Sequence, residues 1–225
     1  MAVPFDPQLA PLLGADGHLP AVASDRLTPA SLRQRFRSLP TWEPEIAVER
    51  FLQQGDPLPA SVLVPLVMRD APTVLLTRRM PHLRAHAGQI SFPGGRVEAA
   101  DPDPVHTALR EAHEEVGLPG EQVEVIGALP TYTTGTGFVV TPVVGLVEPD
   151  LSLRPDPAEV EEIFEVPLSF LMTPAHHQRR GIAVGGRQLE FFAMPWRPGP
   201  TVAREYFIWG ATAAMLRNLY RFLAA

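Results

Sequence analysis

Between Gly94 and Leu118 the chain reads GGRVEAADPDPVHTALREAHEEVGL. From Pro104 to Val116 its apolar residues recur at helical spacing. On that helix Glu111, Glu114 and Glu115 fall at i, i+3 and i+4, so their carboxylates share one face over a single turn. Val105, Leu109, Ala112 and Val116 form a stripe roughly 130° away on the same wheel. One face is built to be buried and the other concentrates negative charge. Like charges at this spacing cost a helix a few tenths of a kcal/mol per pair, a cost that a bound cation reverses. An all-oxygen donor set without thiolate suits a hard ion such as Mg2+ or Mn2+. The plain alternative is a solvated acidic helix face. Gly94-Gly95, which lets backbone approach a ligand closely, favours a site.

On either side, β-rich runs flank this helix. SVLVPLVMR (Ser61–Arg69) and TVLLTRR (Thr73–Arg79) predict a hairpin around Asp70-Ala71-Pro72. Val123–Leu129 and Gly137–Val147 predict further strands. Glu159–Leu171, acidic and then apolar, reads as a loop entering a short helix. Gly185-Gly186 marks a hairpin turn with flanks near Ile182 and Phe191. IWGATAAMLRNLYRFLA, at the C-terminal end, reads as an amphipathic helix. Strands and helices mix without regular βαβ alternation, which predicts an α/β sandwich with a mixed sheet between helices. Residues 1–30 are proline-rich and aperiodic and read as a loose arm. Ser31–Leu39 predicts a short helix with Thr28 as N-cap and Pro29 in its first turn, and Ile46–Leu52 a second one. The chain thus divides into an N-terminal, partly helical extension (1–58) and a main domain (59–225).

Composition narrows the chemistry. Cysteine is absent, and all 19 basic residues are arginine. Thiol nucleophiles, disulfides and thiolate metal sites are excluded, as are a Walker-A lysine and a pyridoxal Schiff base. Phosphate chemistry must therefore use arginine, backbone N–H groups or a metal. The net charge of −6 argues against a nucleic-acid polymer as partner. The N-terminus lacks a cationic, apolar signal segment, and no apolar run approaches the ~20 residues of a membrane span, so a cytoplasmic protein without membrane contact is expected.

Taken together, the motifs resemble a known family. Gly95 and Arg110-Glu111-Ala112-His113-Glu114-Glu115-Val116-Gly117-Leu118 are similar to the Nudix box, G-x5-E-x7-R-E-U-x-E-E-x-G-U with U aliphatic. Asp101 stands where the first Glu is expected, separated from Arg110 by eight residues rather than seven, and is not counted as a ligand. Upstream, LLTRRMPHLRAHAGQISFPGG (Leu75–Gly95) resembles the signature of the coenzyme A pyrophosphatase branch. Leu75, Leu76, Thr77, Arg79, Arg84, Gly88, Phe92, Pro93, Gly94 and Gly95 are in register, and Met80 departs where a small residue is usual. TYTTGTGFVVTPVVG and IWGATA are similar to the same branch.

The resemblance implies a Nudix α/β/α sandwich and Mg2+- or Mn2+-dependent hydrolysis of the coenzyme A diphosphate to 3′,5′-ADP and 4′-phosphopantetheine. It implies Glu111 and Glu115 as metal ligands, with Glu114 bound directly or through water. The general base stays open between Glu111 and the acidic run Glu159, Glu161 and Glu162, with Glu162 carried as the catalytic candidate of that run. Two roles stay open for Arg110, catalytic or holding the loop through Glu98, and Glu98 is also a candidate outer ligand. Arg79, Arg84 and Arg96 are phosphate candidates, because guanidinium binds phosphate bidentately. Gly94 and Gly95 shape the approach, and Thr133, Thr134 and Thr136 are candidates for the pantetheine or nucleotide side. The histidines form no metal constellation: His113 is expected to face solvent, and His176-His177 to sit in a surface loop. The small-molecule substrate could instead be ADP-ribose or NADH, and a non-catalytic nucleotide sensor is the reading from another class. Isopentenyl diphosphate isomerase, a relative that relies on cysteine, is removed by its absence. Assembly as a homodimer stays open.

Overall fold

The computed structural model describes residues 6–45, 56–83, 86–184, 187–199 and 204–225. In chain order it forms β1 (Leu12–Ala15), α1 (Pro29–Arg37), β2 (Leu58–Val67), β3 (Thr73–Arg79), β4 (Ile90–Ser91), β5 (Gly94–Arg96) and α2 (Pro104–Val116). Then follow β6 (Val123–Ala128), β7 (Tyr132–Thr133), β8 (Phe138–Val147), β9 (Val160–Pro167), α3 (Leu168–Leu171), β10 (Gln178–Val184), β11 (Arg187–Trp196), β12 (Tyr206–Trp209) and α4 (Gly210–Ala224).

β2 and β8 are the spine of a mixed sheet. They pair in parallel from Leu58↔Phe138 to Val67↔Val147. Both are nearly continuous apolar runs because both of their faces are covered. Leu63, Val67, Leu75, Val143 and Val147 point to one side and pack on Ala108, Ala112 and Val116 of α2. Val64, Leu66, Val74, Leu76, Val144 and Leu146 point to the other, against Leu32 and Phe36 of α1 and Leu216, Leu219 and Phe222 of α4. The alternation follows from the two-residue period of a strand. An antiparallel sheet in the order β1-β10-β11-β12 joins the α4 side. The result is the expected α/β sandwich.

The hairpin of β2 and β3 forms, but only Leu66↔Val74 and Val67↔Thr73 pair. The first half of β2 pairs with β5 instead, which carries Gly94–Arg96 to the sheet. This splay matters because it opens a cleft between β3 and β5.

Three expectations change. Val160–Pro167 is a strand, not a loop, paired with β3 from Thr73↔Pro167 to Arg79↔Val160. Its charged residues hid the strand period, and its partner residues lie 81 to 94 positions away in sequence. Ile208-Trp209, read as helix, ends β12, and α4 starts directly at Gly210 with φ +60. The proline-rich stretch before residue 30 is not loose: β1 pairs with β10, and Leu27 is buried. α1 begins as expected, Thr28 accepting the Ser31 N–H at 3.3 Å. The second expected helix, Ile46–Leu52, lies outside the described residues, as does the Gly185-Gly186 turn between the paired strands β10 and β11.

Candidate active site

α2 is fixed at both ends. Asp103 caps its N-terminus by accepting the His106 N–H at 2.9 Å, and Pro104 needs no partner there. Gly117 closes it in the left-handed conformation, φ +68, its N–H reaching His113 O at 2.9 Å. With Ala112 and Val116 buried in the sheet, Glu111 and Glu115 project towards the cleft. There they line a cavity of about 770 Å3, together with Arg79, Gly94, Gly95, Arg96, Thr134 and Glu159.

The glycine pair sits where nothing larger fits. A Cβ on Gly94 would lie 2.5 Å from Ser61 O and 2.6 Å from Val62 Cα, so the close β2–β5 pairing depends on it. A Cβ on Gly95 would meet the Glu111 carboxylate, 2.7 Å from Oε2.

Glu115 is 4% exposed, and burial pushes its carboxyl up to about 7. Arg79 opposes that shift: its Nη1 donates to Glu115 Oε1 at 3.1 Å, and its Nη2 donates to Glu159 Oε2 at 3.1 Å. The Gly94 N–H holds the other Glu115 oxygen at 3.2 Å. Burial also raises Glu111, with the neighbouring carboxylates adding to the shift and Arg110 opposing it.

Arg110 is a clamp. Its Nε and Nη2 grip both oxygens of Asp101 at 3.1 and 3.0 Å, and Nη2 also donates to Arg96 O at 3.1 Å. Nη1 donates to Glu111 at 3.1 Å and to Glu114 at 2.9 Å. The main partner is thus Asp101, with Glu98 only at 4.0 Å. Asp101 also accepts from Thr107 Oγ1 and the Glu98 N–H, and Arg110 above all holds its carboxyl well below the usual range. The acid that departs from the box in sequence is therefore the one that ties the loop to the helix. Glu114 lies outside the cavity lining, on an exposed edge held by Arg110.

Other candidates divide. Arg96 lines the cavity and stacks over Phe138, 5.1 Å from the ring centroid. Thr134 and Thr136 line it too and share a 3.0 Å hydrogen bond. Thr133 does not line it, and Arg84 lies outside the described residues. Glu162 is not at the cavity: it pairs in register with Arg78, accepts the Tyr206 hydroxyl at 2.8 Å and meets Arg204 at 3.0 Å. Glu159, just before β9, is the member of the acidic run that reaches the cavity. His113 is exposed as expected. His177 is fully buried, not in a surface loop, between Leu171 O and Arg217. Sequence reasoning missed Phe138, Trp209 and Met215, which give the cavity its apolar wall. Trp209 stood inside the recognised IWGATA run but was assigned to helix, which hid its direction.

Among the described residues no three acidic or imidazole groups gather into a ready metal cluster. The donors nevertheless fit a hard dication. Glu111 and Glu115 face one cavity, Glu159 raises both by its charge, and every donor is oxygen.

Residues 57–183 match the family profile described as "NUDIX domain". The chain is 44% identical over 160 residues to an uncharacterized Nudix hydrolase NudL of Enterobacter sp. (strain 638), covering 71% of this chain and 80% of that one. It is 40% identical over 196 residues to the protein of that name from Salmonella heidelberg (strain SL476), covering 87% and 95%. Among solved structures, a Nudix hydrolase from M. smegmatis, RenU, is 26% identical with a TM-score of 0.41, over 50% of this chain and 71% of that one.

Proposed function

Because the chain belongs to the Nudix hydrolase family, we propose that its substrate is coenzyme A, cleaved at the diphosphate with Mg2+ or Mn2+ to give 3′,5′-ADP and 4′-phosphopantetheine. The carrying observation is that Arg79, Gly94 and Gly95, three positions of the coenzyme A pyrophosphatase signature, line one cavity with Glu111 and Glu115.

A dication bound there would neutralise the diphosphate and make a water more acidic. Glu111 and Glu115 would hold it, one helical turn apart on a helix fixed at both ends. Water adds to one phosphorus, and the bridging oxygen leaves with the other phosphate. Glu159 accepts the proton of the attacking water, lining the cavity with Glu111 and Glu115 from the turn that leads into β9. Arg96 and Arg79 take phosphate oxygens, and Arg110 keeps the glycine loop against α2 through Asp101. Phe138, Trp209 and Met215 offer apolar surface to the adenine ring or the pantetheine arm.

The test is product analysis with coenzyme A, its acyl and disulfide forms, ADP-ribose and NADH, each with Mg2+ and with Mn2+. The reading expects coenzyme A or its derivatives to rank first in kcat/KM and to yield 3′,5′-ADP. A higher kcat/KM for ADP-ribose or NADH assigns the site to another dinucleotide. Absence of turnover with every substrate leaves the sensor reading standing.

A further inference from the structure

We infer that Arg79 is an internal counter-ion which the divalent metal displaces from Glu115 and Glu159, and that the freed guanidinium then binds a phosphate oxygen of the substrate. The inference rests on the metal-dependent hydrolysis proposed above and adds a partner exchange to it.

Arg79 and Arg110, whose guanidinium groups donate to Glu115 and Glu111, are held very differently. Arg110 keeps partners that a metal leaves alone: both oxygens of Asp101 and the carbonyl of Arg96. The side chain of Arg79 donates to Glu115 and to Glu159 at 3.1 Å each, and both acceptors face the cavity a dication would enter. A metal held by Glu115 therefore takes one acceptor of Arg79 and, by its charge, repels the guanidinium from the other, Glu159, while Arg110 stays in place.

What remains behind is also fixed. The Gly94 N–H anchors Glu115 through its second oxygen at 3.2 Å, so that carboxylate has little freedom to follow the arginine. The backbone of Arg79 is pinned, its N–H on Gln89 O at 2.9 Å and its carbonyl accepting the Gly88 N–H at 3.2 Å. Only the long side chain is left to move, and it already borders the cavity. Glu115 is 4% exposed, and whenever it is ionised a carboxylate so buried needs a counter-ion. Arg79 supplies that counter-charge until a metal arrives. It then becomes an unpaired planar donor fork beside the diphosphate, a geometry matched to phosphate oxygens.

The experiment is a Mn2+ titration of the full, substrate-free chain, following free Mn2+ by electron paramagnetic resonance, for the wild type, Arg79→Met and Arg79→Lys. Thermal melting checks that each is folded. Removing the competing cation should tighten Mn2+ binding by about tenfold in the Met variant. Lys, which cannot bridge two carboxylates as a fork, should tighten it by a smaller factor. In the hydrolysis assay both variants should raise KM for the diphosphate substrate. Mn2+ binding no tighter than wild type in both variants overturns the counter-ion role, and an unchanged KM overturns the handover to phosphate. Failure of the functional proposal looks different: the wild type then cleaves no coenzyme A derivative, whatever the Mn2+ affinities are.

Discussion

The backbone of Gly95 and the carboxylate of Glu111 share a space that admits no side chain: a Cβ on residue 95 would lie 2.5 Å from Glu111 Cδ. Alanine there forces the carboxylate aside, because Glu111 sits on a capped helix that cannot retreat. Gly95→Ala is expected to fold with a loss of about 1 kcal/mol or less, since the displaced group is a side-chain end at a cavity. Its kcat should fall by about a hundredfold or more, as misplacing a metal ligand by an ångström does. Urea unfolding and steady-state kinetics on the same preparation separate the two effects; near-normal turnover would show that Glu111 is not at the reacting centre.

The position of β9 separates Glu159, which reaches the cavity, from Glu162, the member of the acidic run that the sequence reading carried as catalytic. Glu159→Gln removes the acid at the cavity, and a drop in kcat of about a hundred- to a thousandfold is expected. Glu162→Gln alters a carboxylate tied to Tyr206 and Arg204, and should leave kcat within about threefold. If the Glu162 variant were the inactive one, the base would have to reach the substrate from the far side of β9.

Why that distinction was out of reach in the sequence is physical. A helix announces itself locally, so α2 and the shared face of Glu111 and Glu115 could be read from periodicity alone. A strand is stabilised by its partner. β9 pairs with β3 across most of the domain, and alternation was blurred by Glu161, Glu162 and Glu165. The same holds for Asp101, an odd residue in the motif until the fold brings it to Arg110, and for Trp209, whose direction depends on a strand turning into helix at Gly210. Residue types and local period carried the catalytic helix and the cavity glycines; long-range pairing carried the rest.

Glu115 lets stability and function be set against each other. Its carboxyl is raised from 4.5 to about 7, so the fold favours the neutral acid, and stability is lost as pH rises through this interval. At pH 8 without metal the site bears a buried charge that Arg79 only partly offsets. Glu115→Gln should therefore stabilise the metal-free protein at pH 8 by about 1–3 kcal/mol, with little gain at pH 5. The same variant should lose more than about a hundredfold in kcat. Urea unfolding in EDTA at the two pH values checks the first claim. A variant less stable than wild type at pH 8 would show that the lost Arg79 pairing outweighs the buried charge.

His177 sets the acid limit of the fold, far from the cavity. Its Nε2 lies 2.8 Å from Leu171 O and so must carry the proton, which leaves Nδ1 to accept from Arg217 Nη1 at 3.1 Å. A second proton would set N–H against N–H in a fully buried position. Burial first, and then the charges of Arg217 and His176, lower the imidazole from 6.5 to about 4, against the opposing pull of the Leu171 carbonyl and Asp16. The unfolded chain therefore binds this proton more readily than the native one. Stability from the neutral imidazole is intact above pH 6.5 and drains away as pH falls towards 4, by about 3 kcal/mol at most. The carboxylates in the same cluster, Asp16 and Glu45, are lowered below their ordinary values, so their own losses come at still lower pH. His177→Gln keeps a donor for Leu171 and an acceptor for Arg217 but cannot titrate. Urea unfolding between pH 7 and pH 4 should show a flatter slope for this variant than for the wild type, and parallel slopes would assign the acid sensitivity to another group.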